Sequence, residues 1–210
     1  MKKLFIIGAG GFGRELLQWV KDINKAEVAW DIQGFIDDDL NALDGVECDY
    51  SVVGKLSDCQ PKEDEYYALA IANPAAKEKI VDQMEQRNMK FASIIHPTAI
   101  LTAYSHYGEG LIMFPYAKLS VNSTVGKHVT IMSSGVGHDI KVGDYCTLCG
   151  NVTVIRNVVI GDRTYIASNV ALNADVHVGN DCYIGMGSMV VKDIPDNSKT
   201  FCNPARILPQ

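Results

Sequence analysis

From Val136 to Val190 an aliphatic residue falls on every sixth position without a miss: Val136, Val142, Leu148, Val154, Ile160, Ile166, Leu172, Val178, Ile184 and Val190. Neither an α-helix nor an ordinary strand has that period. A six-residue period marks a β-solenoid, in which each short strand turns an apolar side chain inward. Three hexapeptides then close one triangular coil. A second series, Met113, Leu119, Val125 and Ile131, lies upstream and out of frame, because Ile131 to Val136 is five residues. The chain is therefore one residue short just before Gly137, His138 and Asp139. The glycines give the coil length independently. Gly143, Gly161 and Gly179 lie 18 apart, and Asp144, Asp162 and Asn180 follow them. Residues that recur once per coil share one corner of the stacked prism. Glycine with Asn or Asp suits a corner that needs φ > 0.

The bulk properties fit this architecture and exclude others. With 210 residues and 47% hydrophobic content, the chain can fill one large or two small cores. A net charge of −6 without a long Lys/Arg run argues against nucleic-acid partners. Lys2-Lys3 before Leu4–Ile7 is too short for a signal peptide, and no segment is long enough to insert in a bilayer. A cytoplasmic location is expected. The six cysteines are 48, 59, 146, 149, 182 and 202. Cys146 and Cys149 have CxxC spacing, but no second pair or ligating His accompanies them, so no metal is expected. Cys146 and Cys182 are two coils apart with Thr164 between, which reads as a structural column of reduced thiols.

The first ninety residues have a different rhythm. Lys2–Ile7 reads as a strand, residues 14–22 as a helix with Leu16, Leu17 and Val20 on one side, and residues 27–36 as a second strand. Tyr66–Ile71 is a third apolar run, and Pro74 opens a helix to about Arg87. The alternation predicts a small Rossmann-like βαβ domain over 1–92. A left-handed parallel β-helix of hexapeptide repeats with a C-terminal tail follows over 93–210. The fold class is thus α/β plus all-β. Gly8, Gly10 and Gly13 form G-x-G-x-x-G directly after a strand and before a helix. That arrangement lets backbone amides meet a phosphate at a helix N-terminus. Asp37 ends the next strand, where a carboxylate can reach a ribose hydroxyl or base edge.

His138-Asp139 lies at the register break, and irregularities in a regular scaffold often mark function. Histidine suits a general base near neutral pH, and an adjacent carboxylate can orient it. Neighbours on a flat strand face opposite ways, so Asp139 reaches His138 only at a turn. His96, His106, His128 and His177 read as surface or turn residues.

Together these motifs resemble the bacterial sugar acetyltransferases with a hexapeptide-repeat left-handed β-helix. The chain is most similar to the subgroup of nucleotide-amino-sugar N-acetyltransferases and sialic-acid O-acetyltransferases. The resemblance runs through residues 7–15 (IGAGGFGRE), 34–38 (GFIDD), 96–99 (HPTA), His138-Asp139, the coils and 203–206 (NPAR). It implies a homotrimer that transfers acetyl from acetyl-CoA to the amine of a UDP- or GDP-linked amino sugar in surface-glycan synthesis. The nucleotide would meet Gly8, Gly10, Gly11, Phe12, Gly13, Arg14, Asp37 and Asp38. His138 would act as general base with Asp139 in support, by direct attack without an acyl-enzyme. Thr147, Arg156, Ser168 and Met186 would touch acetyl-CoA. The chain departs from the family at Gly137, often Glu; at Thr147, usually a second His; at Arg156, commonly Gly; and at the missing residue.

Three other readings stay open on the sequence. The same scaffold could O-acetylate a sugar hydroxyl. A non-catalytic sugar-nucleotide-binding protein would keep the first site and lose the second. An NAD-dependent oxidoreductase would rest on the Gly-rich loop alone.

Overall fold

The structure is a computed structural model that describes residues 1–201, 203, 206 and 207. Cys202, one of the six cysteines, and Pro204 and Ala205 of the motif at 203–206 lie outside the described residues. The amino-terminal unit is a five-stranded parallel sheet flanked by two helices. Its elements are β1 (Lys2–Ile7), α1 (Gly11–Ala26), β2 (Trp30–Ile36), β3 (Val52–Gly54), β4 (Glu65–Leu69), α2 (Pro74–Glu85) and β5 (Lys90–Phe91). The sheet order is β3-β2-β1-β4-β5, so the chain reverses its winding between β1 and β4. In such sheets ligands bind at the carboxyl ends of the strands beside that reversal. Helix α2 starts as the sequence predicts, with Pro74 in its first turn and Asn73 accepting the Ala76 N–H at 2.9 Å. Strands β3 and β5 were not foreseen; both are short and sit at the sheet edges.

From Ile94 onward the chain winds through short parallel strands on three sheets of six, five and eight strands. The last of these sheets also takes in one antiparallel partner, Arg206–Ile207. Every member of both six-residue series is at most 4% exposed. A second residue per hexapeptide also points inward, two positions earlier: Ile140, Val152, Val158, Val170 and Val176, with Cys146, Thr164 and Cys182 as smaller members. Residues i and i+2 share one face of a strand. The second column escapes a search for aliphatics because Cys, Thr and Ser occupy part of it.

The register break is visible in the pairing. Before and after it, partners are 18 apart, as in Ile100↔Lys118 and Thr153↔Ala171. Across it they are 17 apart on all three faces: Lys118↔Gly135, Thr124↔Lys141 and Thr130↔Thr147. The positive-φ residues keep the same count, stepping from His128 to Ser133 and then by sixes from Asp139 to Asp181. The short corner therefore lies directly ahead of the strand Gly135–His138.

The corner reading is corrected in one respect. The left-handed residue is not the glycine or the Asx beside it but the next one: Tyr145, Arg163 and Asp181. Gly143, Gly161 and Gly179 serve close approach. A Cβ on Gly143 would lie 2.7 Å from Asp162 N, and one on Gly179 2.5 Å from Asp196 N. The Asx residues cap the stack. Asp144, Asp162, Asn180 and Asp196 each accept the backbone N–H of the equivalent residue one coil before, at 2.7–2.8 Å. Cys146, Thr164 and Cys182 form the expected column, each donating to a carbonyl of the following coil.

The two units share a polar seam. His128, expected at the surface or in a turn, occupies a turn (φ 53°) but is 1% exposed between Phe91 and Tyr145. His96 is likewise buried, with Asp22 Oδ2 3.7 Å from its Nε2. Burial pushes the His128 imidazole down to about 4. The unfolded chain therefore binds a proton that the folded chain does not between about pH 6.5 and 4. Stability is complete above that window and is lost as pH falls through it. The unfolding equilibrium should shift by at most about tenfold per pH unit from this group. Urea titrations should show a steeper acid loss for the wild type than for His128→Phe; equal slopes would refute the assignment.

Candidate active site

The solenoid corner after Gly135–His138 brings the predicted pair together. Asp139 has φ 58°, the left-handed turn that lets adjacent side chains meet. His138 Nδ1 lies 2.6 Å from Asp139 Oδ2. That contact fixes the proton on Nδ1 and leaves the Nε2 lone pair directed away from the carboxylate. The hydrogen bond from His138, with a second from Asn122 Nδ2 at 3.3 Å, holds the Asp139 carboxyl below its ordinary range. Half of the His138 side chain is exposed, so an incoming group can reach it.

The next coil continues the column. Arg156 is the register partner of His138, and its Nη2 lies 3.4 Å from Asp175 Oδ2. Asn157 donates to the other Asp175 oxygen at 2.9 Å. Gly137 has a plain steric cause. A Cβ there would lie within 2.7 Å of both Val154 O and Ile155 C, and closer still to Ile155 O. No side chain fits this position, whatever a related protein carries there.

The remaining acyl-donor candidates divide. Ser168 and Met186 are 18 apart on a different corner, after the strands Tyr165–Ile166 and Tyr183–Ile184, and Met186 is exposed. One chain alone does not bring them beside His138. Thr147 is a correction. It is fully buried, donates to Ala72 O at 2.8 Å and accepts from Lys77 Nζ at 3.0 Å. A hydroxyl so enclosed between α2 and the solenoid does not face a ligand.

The Gly-rich loop forms as predicted. Gly8 adopts φ 97°. Gly13 packs so tightly that a Cβ would strike Gly8 O and come 3.0 Å from Gly8 C. Gly10 caps α1 with no side-chain hydrogen bond, and space above Gly10 and Gly11 is open. The N-terminus of α1 thus has no side-chain cap and has room beside it, a favourable place for an anion. Arg14 stands beside them, Nη1 3.5 Å from Ala9 O. A cleft of about 430 Å³ opens at the ends of β1 and β2, lined by Gly8, Asp37, Asp38 and, from α2, Lys79, Ile80 and Gln83.

Two of the nucleotide candidates have other work. Asp37 accepts the Ala9 N–H at 2.8 Å and the Asp39 N–H at 3.0 Å, one on each oxygen, so it braces the loop. Asp38 is the exposed carboxylate at the cleft rim. The Phe12 ring packs on Phe114, 5.6 Å between centroids, and joins the two units rather than lining the cleft.

Among the described residues no helix is long and apolar enough to cross a membrane, and no cluster of metal-ligating side chains forms. Two family descriptions match the chain: the PglD N-terminal domain over residues 3–84, and the bacterial transferase hexapeptide (six repeats) over residues 157–192. The chain is similar to the GDP-perosamine N-acetyltransferase of Escherichia coli O157:H7, 29% identical over 162 residues and 72% of each chain. It superposes on PerB from Caulobacter crescentus, solved with CoA and GDP-perosamine, with TM-score 0.88 and 23% identity. That match covers 100% of this chain and 98% of the other. It also superposes on the acetyltransferase domain of PglB from Neisseria gonorrhoeae FA1090, solved with acetyl coenzyme A. The TM-score is 0.88 at 24% identity, covering 99% of each chain. At these identities the two structures speak to the fold.

Proposed function

We propose, for a chain that belongs to the hexapeptide-repeat sugar acetyltransferases, that it moves acetyl from acetyl-CoA to the amine of a nucleotide-linked amino sugar. The observation that carries the reading is the His138–Asp139 pair, with Nε2 directed away from the carboxylate on an accessible corner, in one chain with a cleft that opens beside Gly8 and Asp37. The relative from Escherichia coli makes GDP-perosamine the first acceptor to test. The amine lone pair attacks the thioester carbon while His138 Nε2 takes the N–H proton. The tetrahedral oxyanion collapses, the C–S bond breaks, and the departing CoA thiolate recovers the proton. Asp139 holds the imidazole in the required tautomer and balances its charge. Arg156 and the backbone beside it stand next to the developing oxyanion.

The acting unit is a homotrimer in the cytoplasm, where acetyl-CoA and nucleotide sugars are available. The separation of His138 from Ser168 and Met186 on different corners supports an acyl-donor groove shared by two subunits. The base comes from one and the CoA-facing corner from the other.

Thermal shift separates this reading from the others. CoA and GDP should each stabilise the protein, by about 2.7 kcal/mol when present at about a hundredfold over Kd, because both bind only the folded state. At this chain length each kcal/mol raises Tm by about 2–4 °C. A response to GDP without one to CoA would indicate a binding module. A response to NAD alone would indicate an oxidoreductase.

A further inference from the structure

Helix α2 has two sides with different duties. Ala76, Lys79, Ile80 and Gln83 face the nucleotide cleft. Lys77 faces the solenoid and is 1% exposed, with its Nζ 3.0 Å from Thr147 Oγ1, 3.2 Å from Thr130 Oγ1 and 3.2 Å from Cys146 O. Among the described residues no carboxylate is bonded to it. The groups that face it are His128, Cys146 and Cys149 from the solenoid. Glu78, the neighbour on α2, is engaged by Arg163.

Burial favours one protonation state. Nζ lies within hydrogen-bond distance of three oxygens, Thr130 Oγ1, Thr147 Oγ1 and Cys146 O, and none of them carries a charge. The Thr147 hydroxyl hydrogen goes to Ala72 O, so Thr147 also accepts from Lys77. An ammonium here would be a buried charge with no carboxylate to balance it, which burial disfavours against the neutral amine.

We propose that Lys77, held as a neutral amine, is a positioning residue that fixes the cleft helix on the coil that follows His138. Thr147 lies in the coil that follows His138, half a turn round the solenoid from it, so the latch ties the wall of the nucleotide cleft to that coil. The role at the cleft rests on the function proposed above; the protonation state does not.

Burial lowers Lys77 from its ordinary 10.5 to about 7. Within that window the undocked helix binds a proton that the docked helix lacks. Docking therefore weakens as pH falls from about 10.5 to 7, by at most about tenfold per unit, and changes no further below that.

The test uses the full chain. First, the Lys77 side chain is followed by NMR, assigned with Lys77→Met. Titration near neutrality is expected, and an ammonium at pH 9 would overturn the proposal. Second, exchange protection of the α2 amides, corrected for intrinsic rate, should rise from pH 7 to pH 9 in the wild type and stay flat in Lys77→Met. Identical profiles would overturn it. Third, Lys77→Met should raise KM for GDP-perosamine about tenfold or more while kcat moves far less; an unchanged KM would overturn the positioning role. If Lys77→Met does not fold, Thr147→Val should shift KM in the same direction and Thr147→Ser should restore it, and a Thr147→Val protein with wild-type KM would contradict the proposal. Inactivity of the wild type toward every sugar nucleotide would remove the functional reading and leave the first two measurements standing.

Discussion

Replacing His138 with alanine should lower kcat by about 10²–10⁴, the contribution of a well-placed general base. Asp139 accepts from Nδ1, so the only nitrogen able to take the substrate proton is Nε2. Alanine removes that acceptor and leaves water in its place. The loss should fall on kcat more than on KM, because the imidazole acts when the proton moves. Folding should be little affected, since half of the side chain is exposed and, among the described residues, Asp139 is its one side-chain hydrogen-bond partner. Asp139→Asn should cost less than His138→Ala, because the amide can still accept from Nδ1 through its oxygen but no longer balances an imidazolium. Stopped-flow or steady-state thiol release measures both. A His138→Ala enzyme with wild-type kcat would remove the base from the mechanism.

The second large effect is structural and acts on the same strand. Gly137→Ala should destabilise the protein by about 3 kcal/mol or more, the range of severe overpacking. The added Cβ meets backbone atoms of the following coil, Val154 O and Ile155 C at 2.7 Å and Ile155 O closer still. Backbone in a stacked coil cannot rotate away as a side chain does. The coil would have to move, and it carries Arg156, the register partner of His138. Gly135 is the matched control. It lies two residues earlier in the same strand, and a Cβ there meets nothing within 4 Å. Gly135→Ala should change stability by about 0.5 kcal/mol or less. Denaturant midpoints for the two variants decide the matter; similar values would mean that the coil spacing is looser than the structure gives.

The solenoid is legible in the sequence because its signal is periodic and redundant. The aliphatic at every sixth position, the glycine at every eighteenth and the missing residue before Gly137 all carry into the strand register. The His138–Asp139 contact is legible up to one condition, a turn at Asp139, which the left-handed φ meets. The corner chemistry is misread because glycine has two uses. Positive φ and close backbone approach leave the same letter in the sequence, and only coil stacking shows that Gly143 and Gly179 serve the second. Asp37 is read only in part for a related reason: the carboxylate after β2 lines the cleft and also braces the loop through the Ala9 and Asp39 amides, a use that the sequence does not show. Thr147 and Lys77 lie beyond any local pattern. Their pairing spans 70 residues and depends on how α2 docks, and a lysine in a helix reads as solvent-facing until the partner surface is known.

The central claim is acetyl transfer to a nucleotide-linked amino sugar, and release of free CoA thiol from acetyl-CoA tests it most directly. With GDP-perosamine as acceptor, the account predicts thiol release matched one for one by an N-acetylated sugar nucleotide, and its loss in His138→Ala. Thiol release only with hydroxyl acceptors such as sialic acid, or none with any UDP- or GDP-linked amino sugar despite saturable GDP and CoA binding, would contradict it.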